Sequence, residues 1–155
     1  MRRITLASCL VLLLFTMCNR KPREIISYHR FDKFTWYRHD NLVFNIPVDE
    51  IQKPYDILLF ARHTRAYEFD DLDFGMIMQT PSGEERINEY NFRIKDKFNG
   101  FTGKCSGDSC EATIVLKRGI VFSQKGMLKV EIENLVPKME VQELLGIGIK
   151  LTPVN

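Results

Sequence analysis

Alternating apolar and polar residues run through much of the chain beyond residue 40, and a period of two indicates β-strands that face a core on one side. The clearest example is the segment from Met127 to Asn134. Every second side chain of this segment is apolar and is expected to be buried: Leu128, Val130 and Ile132. The same pattern predicts further strands over residues 42–46, 72–79, 89–95, 113–122 (one long strand or two short ones) and 147–151.

Two other patterns complete the predicted fold. Residues 55–62 are almost continuously apolar, which is typical of a central strand buried on both faces. Turns are predicted at residues 80–83 (TPSG) and 124–126 (QKG), and residues 136–145 are the only candidate for a helical turn beyond the N-terminal segment. Seven or eight short strands with almost no helix predict an all-β fold, an antiparallel β-sandwich of jelly-roll type, formed by a single domain over residues 28–155.

The N-terminal segment has a different pattern. Arg2 and Arg3 precede an uncharged, mostly apolar run that ends at Cys18. A membrane-spanning helix needs about 20 apolar residues, so this run is short for a permanent anchor. A basic start, a short apolar run and a terminal cysteine instead predict a bacterial lipoprotein signal peptide over residues 1–17, with lipid attached to Cys18. Simple cleaved secretion and an uncleaved anchor are the two alternatives.

Residues 19–27 are charged, contain Pro22 and show no period, so residues 18–27 are predicted to form a lipidated tether between the bilayer and the domain. The protein is therefore expected in the bacterial cell envelope, facing the periplasm, with the inner or outer membrane left open. Removal of residues 1–17 takes away two arginines and leaves 22 − 2 = 20 Lys+Arg against 20 Asp+Glu. This neutral balance argues against a nucleic-acid partner, which requires a basic face.

Cys105 and Cys110 are the two cysteines that remain once Cys9 leaves with the signal peptide and Cys18 takes the lipid. Disulfides form and persist in the oxidising space outside the cytoplasm, and four intervening residues with a glycine can turn the chain back. A disulfide between Cys105 and Cys110 is therefore predicted. A redox-active pair and two free thiols are the alternatives, whereas zinc would need further ligands that no nearby residue supplies.

Aromatic residues are the candidates for ligand or partner contact. Trp36, Tyr37 and Tyr67 could pack over the core, or they could form an exposed platform on which a carbohydrate stacks. Arg62 is a fourth candidate, at the start of a polar cluster that extends to Asp73. Acidic residues of that cluster could bind calcium through oxygen ligands, but a solvated loop neutralised by its own arginines is the favoured interpretation.

Residues able to carry out catalysis are not grouped in the sequence. His29, His39 and His63 are scattered, without the spacing of paired metal ligands. Gly107-Asp108-Ser109 lacks the G-x-S-x-G arrangement of hydrolase nucleophiles and lies within the cysteine turn. We therefore predict no catalytic residue, no metal site and no cofactor, and a protein that is not an enzyme.

The chain as a whole resembles the gliding motility lipoprotein GldH family. The matching features are spread along its length: the signal ending at Cys18, aromatic residues around Trp36, residues 42–47 (LVFNIP), residues 55–59 (YDILL) followed by Arg62, Tyr67 and Asp71-Leu72, residues 100–103, the strand at 126–133, and residues 146–149 (GIGI). Two features depart from the family's pattern, namely Met17 just before Cys18 and the loop from Cys105 to Cys110.

The resemblance implies a membrane-anchored accessory protein of the gliding machinery, which is linked to protein secretion across the outer membrane, and it offers no catalytic residues to carry over. We expect the lipid on Cys18 to hold a rigid sandwich at the bilayer, where an exposed edge or loop docks an envelope protein partner. The alternative is an envelope-anchored module that binds a carbohydrate or another ligand. The oligomeric state is left open.

Overall fold

The computed structural model describes residues 23–154, which fold almost entirely as antiparallel β-structure. The predicted signal peptide and Cys18 lie outside the described residues. The strands are β1 (Ile25–Arg30), β2 (Trp36–Tyr37), β3 (Leu42–Val48), β4 (Pro54–Thr64), β5 (Asp71–Gln79), β6 (Glu85–Arg93), β7 (Lys104–Ser106), β8 (Ser109–Val121), β9 (Gly126–Asn134), β10 (Glu140–Val141) and β11 (Leu144–Pro153). A short 3-10 turn, Asp32–Phe34, follows β1.

The long strands form two sheets that enclose one core. One sheet has the order β1-β11-β4-β8-β7 and the other the order β3-β9-β5-β6, while β2 and β10 form a small ribbon of their own. With the three-residue β7 set aside, this is the strand order of a jelly roll, in which most connections cross from one sheet to the other. The predicted antiparallel β-sandwich is confirmed.

Alternation along the strands decides which side chains are buried. In β3 every second residue is buried, from Leu42 to Val48, and β5 and β9 follow the same rule. The strand that was almost continuously apolar, β4, lies in the middle of the five-stranded sheet. Burial of these apolar side chains supplies the main stabilisation of the fold, at roughly 25 cal/mol per Å² removed from water.

Two parts of the chain differ from the sequence-based prediction. β1 begins at Ile25, so residues 25–27 belong to the sheet and not to the tether; Ile25 pairs with Leu151 and packs against the core. Residues 136–145 contain no helical turn. A lone turn of helix is marginal in water, and here Glu140–Val141 pairs instead with Trp36–Tyr37, which buries Val141 completely.

The direction of β1 defines two ends of the sandwich, which we call the Ile25 end and the Arg30 end. Connections at the Ile25 end are short and comprise residues 49–53, 80–84 and 122–125. Longer connections lie at the Arg30 end, comprising residues 65–70, 94–103 and 135–143, together with the turn between β7 and β8. Binding residues concentrate on loops that a rigid scaffold positions, so the Arg30 end is where a site is expected.

Candidate functional site

A groove crosses the surface at the Arg30 end. Its two adjoining cavities, of about 230 and 140 Å³, share Glu68, Phe69 and Gln142 as lining residues. One wall is the connection between β4 and β5, and the other is the segment that contains β10. We call this feature the loop groove and define it by its lining: Ala66, Glu68, Phe69, Lys138, Met139, Glu140, Gln142 and Glu143.

Hydrogen bonds hold the first wall of the loop groove in place. The Thr64 backbone N–H donates to the Glu143 carbonyl oxygen at 2.9 Å, and the Thr64 hydroxyl donates to the Glu143 carboxylate at 2.5 Å. Arg65 donates from Nε to the Gly107 carbonyl oxygen at 2.8 Å, and Lys95 donates from Nζ to the Glu68 carbonyl oxygen at 2.9 Å. The loop is thereby fastened to three other elements, and its shape is set before any partner binds.

The second wall rests on the buried indole of Trp36. Trp36 stacks on Phe31, with ring centroids 5.7 Å apart, and donates from Nε1 to the Asp40 carbonyl oxygen at 2.8 Å. A buried asparagine, Asn134, donates from its side-chain amide to the Trp36 carbonyl oxygen at 3.4 Å. Because β2 pairs with β10, this anchoring extends to the groove segment itself, where the Arg38 N–H donates to the Met139 carbonyl oxygen at 2.9 Å.

The loop groove combines apolar surface with an excess of carboxylates. Met139 is 65 % exposed, and the neighbouring Tyr37 is 49 % exposed. Three glutamates line the groove, Glu68, Glu140 and Glu143, against one lysine, Lys138. Such a surface suits a protein segment that carries apolar and basic side chains. Within residues 23–154, no group of three or more His, Cys, Asp or Glu side chains is placed to hold a metal ion.

The three aromatic candidate residues differ in how far their side chains are exposed to solvent. Trp36 is fully buried and Tyr67 is 2 % exposed, so only Tyr37 presents its ring to solvent. Tyr67 packs against His63 and Phe69, with ring centroids 5.1 and 5.7 Å away, and burial raises the pKa of its phenol well above the ordinary value. The exposed stacking platform that these rings could have formed does not exist, because two of them fill the core at the Arg30 end.

Arg62 lies apart from these rings, on the outer face of the five-stranded sheet. Its guanidinium carbon lies 5.2 Å from the ring centroid of Tyr28 and 5.6 Å from that of Phe60. Glu111 accepts hydrogen bonds from Arg62 Nε at 2.7 Å and from Lys150 Nζ at 3.3 Å. Lys150 in turn lies 4.6 Å from the centroid of the Phe60 ring. We call Tyr28, Phe60, Arg62, Glu111 and Lys150 the aromatic–basic cluster.

Two glycines of β11 make room for this cluster. A Cβ atom at Gly148 would overlap the Phe60 ring, and one at Gly146 would overlap the Tyr28 hydroxyl. The run of residues 146–149, GIGI, was noted in the sequence as one of the features that resemble the GldH family. Its partner rings were not identifiable, because Tyr28 and Phe60 come from strands that lie on either side of β11.

The remaining candidate residues have structural roles. Cys105 and Cys110 form the predicted disulfide, directly opposite each other in the hairpin of β7 and β8. In the acidic stretch, Asp71 lies 2.8 Å from Arg93 Nε, and Asp73 accepts a hydrogen bond from Asn91 at 2.7 Å. These two carboxylates of the polar cluster therefore lie beside cationic or amide side chains of the neighbouring strand β6.

Comparisons with known proteins agree with the resemblance seen in the sequence. The family model described as GldH lipoprotein matches residues 24–151. The gliding motility lipoprotein GldH of Flavobacterium johnsoniae is 24 % identical over 125 residues, an alignment that covers 81 % of this chain and 76 % of that protein. The match begins one residue before β1 and ends in β11, so it spans both sheets.

A solved viral structure is too dissimilar to this chain to indicate a shared fold. A chain from the structure of infectious bursal disease virus Gx strain is 14 % identical, with a TM-score of 0.20, and the match covers 85 % of this chain but only 41 % of that one.

Among residues 23–154, no helix has the length and apolar character needed to cross a bilayer.

Proposed function

The chain belongs to the GldH lipoprotein family, and on that premise we propose that it is a membrane-anchored, non-catalytic accessory component of a gliding-motility or envelope secretion machinery. Lipid on Cys18 would anchor the protein to a membrane of the cell envelope, with the sandwich in the periplasm. The loop groove would then receive an envelope protein partner. The name of the Flavobacterium johnsoniae relative, a gliding motility lipoprotein, supports the assignment to this machinery.

A single structural relationship carries the proposal: the loop groove lies at the end of the sandwich opposite to the start of β1. Cys18 and Ile25 are separated by 25 − 18 = 7 residues, which span at most about 25 Å when fully extended. A lipid on Cys18 would therefore keep the Ile25 end close to the bilayer surface. The Arg30 end, with its longer connections, would point away from that membrane toward proteins in the periplasm.

The chemistry of the groove favours docking over ligand turnover. Apolar contact from Met139 and Phe69 supplies buried area, and the carboxylates of Glu68 and Glu140 select a basic neighbour. Hydrogen bonds that fix Thr64 to Glu143 reduce the entropy lost when a partner binds. The carbohydrate-binding alternative keeps only one of its three candidate stacking residues, Tyr37, since Trp36 and Tyr67 are buried.

Two experiments test the proposal separately. For the anchor, cells expressing the full chain or its Cys18→Ser variant are grown with labelled palmitate, and label is expected on the wild-type chain alone. Equal label on both chains, or none on either, would contradict lipidation at Cys18.

For docking, affinity capture from cross-linked envelopes compares the wild-type chain with Met139→Lys/Glu140→Lys. Ile51→Lys is the matched control, an exposed apolar residue at the Ile25 end. A protein partner is expected with the wild type and the control, and its recovery should fall strongly with the groove variant. Recovery that is equal in all three would contradict docking at the groove.

A further inference from the structure

The outer face of the four-stranded sheet is acidic. Its residues follow from strand register, because paired residues point to the same side of a sheet. Six carboxylates and two cations point outward from this sheet, which gives a net charge of 2 − 6 = −4. The carboxylates are Asp71, Asp73, Glu85, Glu89, Glu131 and Glu133, and the cations are Arg93 and Lys129. We call this surface the acidic face.

An apolar row crosses the middle of the acidic face. Ile87 pairs with Ile77, and Glu131 lies between Ile77 and Val43 in the same row. The exposed fractions of Val43, Ile77 and Ile87 are 50 %, 36 % and 67 %. Beside this row, Gly75 leaves a cavity of about 110 Å³, which is lined by Glu89, Glu131 and Glu133 among other residues. The face thus offers apolar contact together with a recess that would accept a positively charged side chain.

The opposite outer face of the sandwich has the reverse sign. The pairing of β8 with β4 shifts register around Lys117, and that part of β8 is left out of the count. Along the other paired strands, four cations and two carboxylates point outward, which gives a net charge of 4 − 2 = +2. The cations are Arg30, Arg62, Lys104 and Lys150, and the carboxylates are Asp56 and Glu111. Ile26 and Tyr28 add exposed apolar surface, at 52 % and 38 % exposed. This surface contains the aromatic–basic cluster, and we call it the basic face.

We propose that copies of this chain associate side by side, with the basic face of one copy against the acidic face of the next. The two faces lie on opposite sides of one sandwich, and each combines exposed apolar side chains with charge of the sign that the other lacks. Complementary potentials of this kind guide association and fix its register. A mature chain with equal numbers of basic and acidic residues has no net self-repulsion to oppose it.

The proposed lipid tether sets the direction of this assembly; this step, like the charge balance of the mature chain, rests on the proposed function. A contact between two different faces is heterologous, so it repeats from copy to copy and forms a row. Because each copy would be tethered at its Ile25 end, the arrangement that suits one membrane relates neighbours by translation or a small rotation. Every copy in such a row keeps its Ile25 end on the same side, so all tethers can reach one membrane. Confinement to that membrane raises the effective concentration of copies. The loop groove lies at the Arg30 end and stays accessible in each copy.

Cysteine cross-linking in intact envelopes tests the arrangement. Two tagged full-length chains are co-expressed, one with Ile26→Cys on the basic face and one with Ile87→Cys on the acidic face, and treated with a short bis-maleimide. Cross-links are expected between the two tags and only weakly within either tag. Controls are the chain without an added cysteine and Ile51→Cys at the Ile25 end. Cross-links mainly between identical variants, or none above the controls, would overturn the proposal.

Charge reversal on either face provides a second test of the association. The acidic face is reversed by Glu131→Lys/Glu133→Lys on the chain that carries Ile87→Cys, and the basic face by Arg30→Glu/Lys104→Glu on the chain that carries Ile26→Cys. Each reversal alone should lower the cross-linked fraction about tenfold or more, because like charges would face each other. Combining both reversed chains should restore it, and thermal melts should show that every variant is folded. No loss with either reversal, or no recovery in the combination, would overturn the charge pairing. Palmitate labelling reports independently on the tether.

Discussion

The ring of Tyr28 stacks on the ring of Phe60, with centroids 5.6 Å apart and planes inclined by 10°. The two residues belong to strands that are not neighbours, since β11 lies between β1 and β4. They meet because both pair with Gly148, whose missing side chain leaves space above the sheet. Packing on this outer face, and with it the position of Arg62, therefore depends on a glycine.

Replacement of Gly148 by alanine should destabilise the protein. The added Cβ would overlap the Phe60 ring and approach the Ser27 carbonyl oxygen, so the ring must move. Overpacking of this kind costs about 1–3 kcal/mol, and the free energy of unfolding measured with urea should fall by that amount. Gly75→Ala is the matched control, since a Cβ there meets ordinary contacts at 3.6 Å. The control should be neutral or stabilising by up to about 1 kcal/mol; equal losses in both variants would contradict the steric explanation.

Glu111 should make stability depend on pH in the acidic range. Partial burial acts to raise the pKa of Glu111, but hydrogen bonds from Arg62 and Lys150 outweigh it and lower the pKa below the ordinary value. A carboxyl group with a lower pKa in the folded state stabilises the protein above its unfolded pKa of about 4.3, and this contribution is lost as the pH falls through the folded pKa.

The variant Glu111→Gln should therefore be less stable than the wild type at pH 7. The two proteins should converge in stability as the pH falls below about 4. Urea unfolding at a series of pH values measures the effect, with Glu89→Gln on the acidic face as the control, because Glu89 is exposed. A constant difference between Glu111→Gln and the wild type at every pH would contradict the ionic role.

His63 should add a second pH dependence nearer neutrality. Burial lowers the pKa of His63, a shift that a hydrogen bond to the Thr64 carbonyl oxygen opposes and the nearby Lys95 reinforces. Below the unfolded pKa of about 6.5, the unfolded chain binds a proton that the folded protein does not, so stability falls as the pH falls from 6.5 toward the folded pKa.

Replacement of His63 by phenylalanine should flatten the pH dependence of the unfolding free energy between about pH 7 and pH 5. Phenylalanine keeps an aromatic ring beside Phe101, whose centroid lies 4.7 Å from that of His63. The exposed His39 provides the control, as His39→Gln should leave the slope unchanged. A slope that survives in His63→Phe would show that another group titrates in this range.

The disulfide should stabilise the Arg30 end by a modest amount. Cys105 and Cys110 close a short loop, with a sequence separation of 5, for which loop-closure entropy gives about 2 kcal/mol. The double variant Cys105→Ser/Cys110→Ser should lose up to this amount in urea unfolding. Addition of a reductant should lower the stability of the wild type to the level of the variant and leave the variant unchanged. A wild type that is unaffected by reductant would contradict the predicted contribution.

Sequence reasoning identified the fold because alternation is a local signal. The inward residues Leu128 and Val130 could be assigned from a segment of eight residues, and the disulfide from a spacing within one hairpin. The predicted tether extended to residue 27 and so included the first residues of β1, since the burial of Ile25 depends on its partner Leu151 at the far end of the chain. Residues 136–145, the candidate for a helical turn, form none for the same reason, as pairing with β2 decides the conformation of that segment.

The candidate sites were harder to predict because each joins residues distant in sequence. Ala66 and Gln142 line one cavity, and nothing in the local pattern of either segment indicates the other. Arg62, predicted as a possible contact residue, lies on the surface, but its aromatic neighbours are Tyr28 and Phe60, not the three rings proposed with it. The burial of Trp36 reflects the small β2–β10 ribbon, which strand alternation cannot reveal in two residues.

The most direct test of the account is a comparison of photo-cross-linking from two positions of the full-length protein in living cells. A photoreactive amino acid replaces either Met139, in the loop groove, or Ile51, at the Ile25 end; both side chains are exposed. We expect Met139 to yield a discrete cross-linked envelope protein and Ile51 to yield lipid adducts without that protein. The same protein captured equally from both positions, or from Ile51 alone, would contradict a sandwich that stands on its Ile25 end and docks its partner at the loop groove.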